Sequence, residues 1–447
     1  MKRFLTLLLT TLALLAALCV TASASDFDAA AKELSAIGVF RGTANGFELE
    51  RAPTRSEAAI MLVRLYGAEE KAKTAYDAGK IQHPFTDVSD FTAPYVAWLY
   101  TNGITNGTSA TTFGSAKPCS AQNYVVFLLR ALGYKDNVDF QYADALTFAQ
   151  QKGFYDAVMF SGPFLRDDLA ALTYQALAAD TANGRTYLLD ALISSGAVNR
   201  KDAKPLTDRI TAYRAMQKAM TAEDTRSMAL DMTVRMDATT GGEVVSTNTK
   251  GSLKVIAEDD ANVQMAYSTE TTAQAQTVRT ELWMKDGWVY TASYGDGAEQ
   301  KVKYAVNNPM ALLEDMGISQ MRGINVSGLA MLESVTSRYV GGKRQYTVVM
   351  GEGMNAMKES VLASLGAEGL ELRLGKMTVT YTLNYRGAIT QMTVAFTASL
   401  QTDGQAAPAT VDYTYDMTVN VSATGQAVQV EFPDFTDYEE TAAPTAA

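Results

Sequence analysis

Two hydrophobic periods divide this chain. Up to about residue 205 the apolar positions recur at helical spacing, and beyond Arg226 they alternate with period two. Within the helical half one pattern occurs three times. The first copy runs from Ala29 to Gly38, continues through Arg41, Gly42 and Phe47, and opens a second apolar run at Thr54-Arg55-Ser56-Glu57. The second runs from Tyr95 through Trp98 to Gly103 and Gly107, then Phe113, then Cys119-Ser120-Ala121-Gln122. The third runs from Ala143 to Gly153, then Phe164-Leu165-Arg166-Asp167-Asp168. Each copy predicts helix, loop, helix. A glycine ends the first helix because it tolerates the left-handed conformation of a C-terminal cap. Thr54 and Glu57 have the spacing of a capping box, and Ala58, Met61, Leu62 and Leu65 then share one helix face. Repeated units of this size bury their apolar faces against one another.

In the second half, Met228, Leu230, Met232, Val234 and Met236 alternate with mostly polar residues. So do Val411, Tyr413, Tyr415, Met417, Val419 and Val421. Alternation of this length predicts long antiparallel strands with one face buried and one wet. Asp286-Gly287 and Arg386-Gly387 read as hairpin turns. Helical spacing is expected over Thr207–Ala222, Pro309–Met316, Leu329–Val335 and Met354–Leu365, with a linker at Asp202-Ala203-Lys204-Pro205. The fold class expected is therefore multi-domain: an all-α module of three repeats, then an α+β domain built on a curved antiparallel sheet.

The repeat residues resemble the S-layer homology (SLH) family. The resemblance rests on Gly38-Val-Phe-Arg-Gly42, Phe47, Thr54-Arg-Ser-Glu57, Phe85-Thr-Asp-Val88, Trp98 and Gly103-Ile-Thr-Asn-Gly107. It covers roughly residues 26–204, with copies at about 26–67, 84–134 and 139–200. It implies a pseudo-threefold helical module that binds cell-wall polysaccharide, often pyruvylated, through Gly42, Thr54, Arg55, Glu57, Trp98, Gly107, Arg166 and Asp167. An arginine suits a ketal carboxylate because its planar fork presents paired donors. The family's Thr-Arg-Ala-Glu signature is nearly intact only in copy one. Copy two has Gln122 and no arginine, and copy three keeps Arg166 within Leu-Arg-Asp-Asp. The alternative for both arginines is simple pairing with helix-end carboxylates such as Glu57 and Asp167.

Residues 206–440 resemble the half-barrel of bacterial lipoprotein carriers in layout. The features are a helix before the first long strand, the hairpin Glu281-Leu-Trp-Met-Lys-Asp-Gly-Trp-Val-Tyr290, and a closing Phe432-Pro-Asp-Phe-Thr-Asp-Tyr438. That resemblance implies a concave face for an apolar ligand such as a lipid chain, or a scaffold that engages a protein. Met228, Met232 and Met236 are the groove candidates, since methionine adapts to irregular apolar partners. Trp283 and Trp288 would share one ribbon face if Asp286-Gly287 is a two-residue turn. Ordinary core packing is the competing account of all five residues.

Residues 1–24 read as a secretory signal: Lys2 and Arg3, an apolar Phe4–Val20, and the small-residue site Ala22-Ser23-Ala24. The mature chain is expected to start at Ser25, without a transmembrane segment, and residues 441–447 to form a disordered tail. Localisation at the cell wall or surface follows from the signal and the repeats together. Methionine usage marks the seam between halves: 17 of 20 methionines follow residue 205. The net charge of −11 argues against nucleic acid and against anionic membranes as partners.

Chemistry narrows further. Only Cys119 remains after signal removal, so no internal disulfide is expected. His83 is the sole histidine, so the second half has neither His nor Cys, which excludes Ser-His-Asp and Cys-His catalysis and the usual zinc ligands there. No cofactor or metal is expected, and Glu258-Asp259-Asp260 reads as a solvated turn. The function expected is a non-catalytic surface protein. The alternative is a wall-anchored glycan-processing enzyme with a carboxylate pair, for which Asp231 and Asp412 are examples of candidates.

Overall fold

The computed structural model describes residues 27–157, 160, 162–220, 226–259, 261–295, 297–315, 328–351, 371–402 and 409–442. The signal segment 1–24, the helix expected at Met354–Leu365, Asp260 and the last five residues lie outside them. Two compact units emerge. One holds the described residues up to Arg214 together with 328–333; the other holds those from Ala215 to 315 and from 334 onward.

The first unit is helical. Its elements are α1 (Asp28–Ala36), α2 (Arg55–Leu65), α3 (Glu69–Asp77), α4 (Ala93–Thr101), α5 (Ala121–Ala131), α6 (Ala145–Gln151), α7 (Arg166–Ala176), α8 (Leu188–Ser195) and the start of α9 (Lys204–Met220). The first helix of each copy ends alike. Gly38, Gly103 and Gly153 have φ of +79°, +69° and +79°. The next N–H in each case reaches back five residues, Val39 to Leu34, Ile104 to Leu99 and Phe154 to Ala149. This is the left-handed glycine cap, closed by an apolar residue that then enters the core. The capping box at Thr54 also forms. Glu57 N–H donates to Thr54 Oγ1 at 3.2 Å, and Thr54 N–H donates to Glu57 Oε2 at 2.8 Å.

The starts of α2, α5 and α7 interlock the copies. Arg55 N–H donates to Lys117 O at 3.0 Å, and Cys119 N–H to Pro53 O at 2.8 Å. Gln122 Nε2 donates to Tyr142 O at 2.6 Å. Arg166 N–H donates to Arg51 O at 2.9 Å, and Asp167 N–H to Leu49 O at 3.1 Å. Copy one thus leans on the loop of copy two, two on three, and three on one. Between the central helices, the hydroxyls of Tyr124 and Thr173 meet at 2.6 Å in a buried site.

The sequence places a linker at Asp202–Pro205, but α9 starts at Lys204 and Ala203 is fully buried. Pro205 fits because its missing N–H falls in the first turn, where no intrahelical acceptor is waiting. The helix expected at Leu329–Val335 is also replaced. Leu329–Met331 is a single 3-10 turn and the chain then enters a strand. Apolar spacing over so short a run does not separate the two outcomes.

The second unit is a curved twelve-stranded sheet. Its strands are β1 (Ser227–Thr240), β2 (Glu243–Ala257), β3 (Val263–Ala273), β4 (Gln276–Lys285), β5 (Trp288–Gly295), β6 (Ala298–Ala305), β7 (Leu332–Val340), β8 (Lys343–Met350), β9 (Glu371–Leu383), β10 (Ile389–Thr402), β11 (Ala409–Thr424) and β12 (Glu439–Glu440), with α10 (Pro309–Asp315) between β6 and β7. The order is β12-β6-β5-β4-β3-β2-β1-β11-β10-β9-β8-β7. Two meanders therefore meet where β1 pairs with β11, and β12 pairs parallel to β6. Register carries one face across the sheet, because directly opposed residues point the same way. Met228 opposes Val255, Val255 opposes Met265, Met265 opposes Met284 and Met284 opposes Val289, and all five are buried.

Candidate functional site

Arg55 is the unusual side chain. It is 8 % exposed, yet its guanidinium makes no hydrogen bond or ion pair among the described residues, and its Nε is a buried atom without a partner. What surrounds it is mostly aromatic. Its Cζ lies 5.0 Å from the Phe113 ring centre and 5.1 Å from that of Phe127. Ring faces attract a cation but do not saturate its N–H donors. Burial lowers its pKa, since a charge without a counter-ion is costly there, while Cys119 and Tyr142 lie within electrostatic reach and oppose the shift. Ser115 Oγ, on the same loop as Phe113, is likewise buried and unpartnered.

The loop carrying Phe113 and Ser115 is held by Asp87. Its carboxylate accepts the N–H groups of Phe113 at 2.7 Å, Gly114 at 2.7 Å and Ser115 at 3.1 Å. Burial opposes these bonds, but they win and hold Asp87 below the usual carboxylate range. Tyr142 stands 51 % exposed nearby, with its hydroxyl on Asn123 Oδ1 at 3.1 Å. The surroundings of Arg55 thus combine a desolvated cation, a buried hydroxyl without a partner among the described residues and, at Tyr142, exposed aromatic surface. That set can take a carboxylate on a sugar ring.

Arg166 occupies the corresponding place in copy three, but it has a counter-ion and two of its donors are engaged. Arg166 Nη1 donates to Glu57 Oε1 at 2.9 Å and its Nε to Phe47 O at 2.9 Å, with Phe40 stacked at 5.2 Å. Glu57 is shared with Arg51, which donates to both of its oxygens at 2.5 and 2.9 Å. Burial pushes the Glu57 carboxyl up, yet Arg51, the Thr54 N–H and the Arg166 charge outweigh it and leave it at about 2. Asp167 accepts Phe27 N–H at 2.8 Å. Copy two has Ala121 at the first helical position, where Arg55 and Arg166 stand, and its Gln122 is committed to Tyr142 O. Among the described residues the three quasi-equivalent helix starts therefore carry one cation without a partner, no cation, and one cation paired with Glu57.

The remaining residues singled out in the repeats shape the loops. A side chain at Gly42 would meet Gly46 O at 2.5 Å. At Gly107, with φ +74°, it would clash with the Phe85 ring and sit 2.6 Å from Thr112 O. Trp98 is half-buried against Tyr66, 5.3 Å between ring centres. Cys119 is buried and its thiol is pushed up to about 12 by burial. His83 stacks on Phe85 at 5.6 Å and accepts Phe85 N–H on Nδ1. Phe113, Ser115, Tyr142 and Arg51 were not singled out by the sequence. Phe113 had a signal, its recurrence in the repeat, but Ser115 and Tyr142 are brought in by folding alone.

In the sheet unit, Met228, Met232 and Met236 are 4, 3 and 7 % exposed. Met232 lies over its neighbour Gly251, where a Cβ would stand 2.7 Å from Met232 Cε. Asp286-Gly287 is a two-residue turn, with φ +52° and +77° and Lys285 opposite Trp288. Trp283, Trp288 and Tyr290 accordingly share the face opposite Met284. The chain's own closing segment covers part of that face: Phe435 stacks on Tyr290 at 3.7 Å and meets Trp283 edge-on at 5.8 Å. Trp288 lies under Lys303 Nζ at 5.4 Å. Asp231 opposes Asn420 while Asp412 opposes Thr239, so the two carboxylates stand eight positions apart along β1. At about 3.3 Å per residue that is roughly 26 Å, far beyond a carboxylate-pair separation. Asp259 caps its own turn, accepting from Ala261 and Asn262 N–H at 2.9 and 2.8 Å. No helix among the described residues is long and apolar enough to cross a membrane.

Comparison with known proteins touches parts of the chain. A family profile described as the N-terminal region of the X-Prolyl dipeptidyl aminopeptidase PepX matches residues 84–197. That stretch contains no histidine, and its cysteine is the buried Cys119. The chain is similar to the Middle cell wall protein of Brevibacillus brevis, 30 % identical over 117 residues, which are 26 % of this chain and 11 % of that protein. The aligned stretch thus spans about a tenth of that relative. Among solved structures, LprF from Mycobacterium bovis aligns over 50 % of this chain and 96 % of its own, at 15 % identity and TM-score 0.25. A lipoprotein-sorting protein domain from Vibrio parahaemolyticus aligns over 51 % and 95 %, at 9 % identity and TM-score 0.18. At those TM-scores neither alignment bears on the fold or the ligand.

Proposed function

We propose that this chain is a non-catalytic cell-surface protein. Its helical unit is an S-layer-homology-type module that grips an acidic wall polysaccharide, and its sheet unit is a binding or scaffolding module for an amphipathic ligand or a protein. The observation that carries the reading is Arg55: buried, framed by Phe113 and Phe127, and left without an anion of its own. A pyruvate ketal on a wall sugar supplies that anion, and Tyr142 and Ser115 supply stacking and a hydroxyl. The similarity to a Middle cell wall protein supports a place in the cell envelope. The burial of the methionine face favours a packed core there.

The test is retention on purified cell walls. The chain from Ser25 should sediment with walls that keep their acidic polysaccharide and stay in solution with walls stripped of it by acid. Pretreatment that removes ketal pyruvate alone should release it. Equal retention on stripped walls would overturn the polysaccharide reading.

A further inference from the structure

One end of the sheet carries a feature that neither the repeats nor the core explains. Arg344 on β8 opposes Leu383 on β9, and Leu383 opposes Ile389 on β10. The β7–β8 turn at Gly341-Gly342 and the β9–β10 turn at Arg386-Gly387 therefore project from the same end, centred roughly 10 Å apart, two strand spacings. Apolar residues at these tips are open to solvent: Tyr339 is 72 % exposed, Val340 45 % and Tyr385 84 %. Cations stand beside them. Arg344 Cζ lies 5.5 Å from the Tyr339 ring centre and 5.2 Å from that of Tyr346. Arg386 Cζ lies 5.3 Å from the ring of Tyr385. Among the described residues Lys343, Arg344 and Arg386 make no ion pair, and Arg344 Nε is buried without a partner.

We propose that these two hairpin tips seat the sheet unit on an anionic phospholipid surface. Tyrosine rings settle at headgroup level, with the apolar body inward and the hydroxyl wet. Unpaired lysine and arginine beside them attract anionic headgroups. A flat partner fits better than a sugar in a cleft, because Tyr385 at 84 % exposed has almost nothing of the protein around it. The net charge of −11, taken alone, argues against such a surface. Charge is felt locally, however: at physiological ionic strength the screening length is about 8 Å, so distant carboxylates do not cancel this cluster.

The chain from Ser25 should sediment with vesicles of equal phosphatidylglycerol and phosphatidylcholine, and not with phosphatidylcholine alone. Raising the salt to about 0.5 M should release it, as screening shortens. Each cation near such a surface multiplies affinity roughly fivefold, so Lys343→Gln with Arg386→Gln should weaken binding about 25-fold. Should that pair fail to fold, Tyr385→Ser at the most exposed position serves instead and should weaken binding clearly. Arg55→Ala should leave vesicle binding intact, which separates this surface from the wall groove. Absence of sedimentation, equal binding to neutral vesicles, or variants that bind like the parent would overturn the proposal. So would displacement from the vesicles by soluble polyglycerol phosphate, which would assign the tips to an anionic polymer.

Discussion

Replacing Arg55 by methionine should move stability and binding in opposite directions. The side chain is 8 % exposed and has no counter-ion among the described residues, so the desolvation cost is not offset by an ion pair there. That cost is several kcal/mol for a buried ion, offset here by two ring contacts worth about 0.5–2 kcal/mol each. Methionine keeps the length and the contact with Phe113 and Phe127 while deleting the charge. We expect a gain of about 1–3 kcal/mol in the free protein, or several degrees in the midpoint of thermal unfolding for a unit of this size. Under the proposed function the same change would remove a two-pronged, charge-assisted contact to the polymer carboxylate, a loss of about 1.5–3 kcal/mol and hence about tenfold or more in retention. Unfolding would be followed by circular dichroism at 222 nm, which reports mainly the helical unit, beside sedimentation with intact walls. A structural arginine gives the reverse, lower stability with unchanged retention. That outcome would refute the groove assignment.

Arg166→Met should behave as the structural counterpart and destabilise by about 2–4 kcal/mol, because it leaves Phe47 O without its donor and weakens the hold on Glu57; the same unfolding assay reads it. Burial raises Asp168 to about 6, so the folded chain holds that proton more tightly than the unfolded one, whose pKa is near 3.9. Its contribution is therefore full below about pH 4 and lost as pH rises to 6, by up to ~3 kcal/mol, and Asp168→Asn should flatten the stability slope across that window in a pH series of unfolding curves. Glu57, held at about 2, acts oppositely: its contribution stands above about pH 4.3 and is lost as pH falls toward 2. Met232→Ala should cost about 2–4 kcal/mol in urea unfolding, since it opens a void over Gly251 at a site 3 % exposed; a cost near zero would mean that the methionine face is not packed.

Local signals wrote much of this architecture into the sequence. Gly38, Gly103 and Gly153 could be read as helix ends because a left-handed cap needs glycine whatever surrounds it. Thr54 and Glu57 satisfy each other within four residues, so the capping box needed no tertiary partner. Alternation fixed the strands, since a one-residue slip would turn every methionine of β1 to water. The hairpin at Asp286-Gly287 was equally legible, because its two positive φ values favour those residues. The short run at Leu329–Val335 was misread for the complementary reason: few residues carry too little period to choose a structure.

The candidate site was legible in its parts and illegible in its assignment. Sequence named Arg55 and Arg166 together, as the arginines of copies one and three. Only the folded ring separates them, by bringing Glu57 and Phe47 O, over a hundred residues away in sequence, onto Arg166 while surrounding Arg55 with rings and, among the described residues, no paired carboxylate. In the same way net charge spoke against a membrane surface, whereas register gathered Tyr339, Arg344, Tyr385 and Arg386 at one end of the sheet. Sequence determined residue type, period and local caps, which depend on a few neighbouring residues. Tertiary structure decided which charges meet a partner and which are left bare, because that depends on distances of a few ångströms between residues remote along the chain.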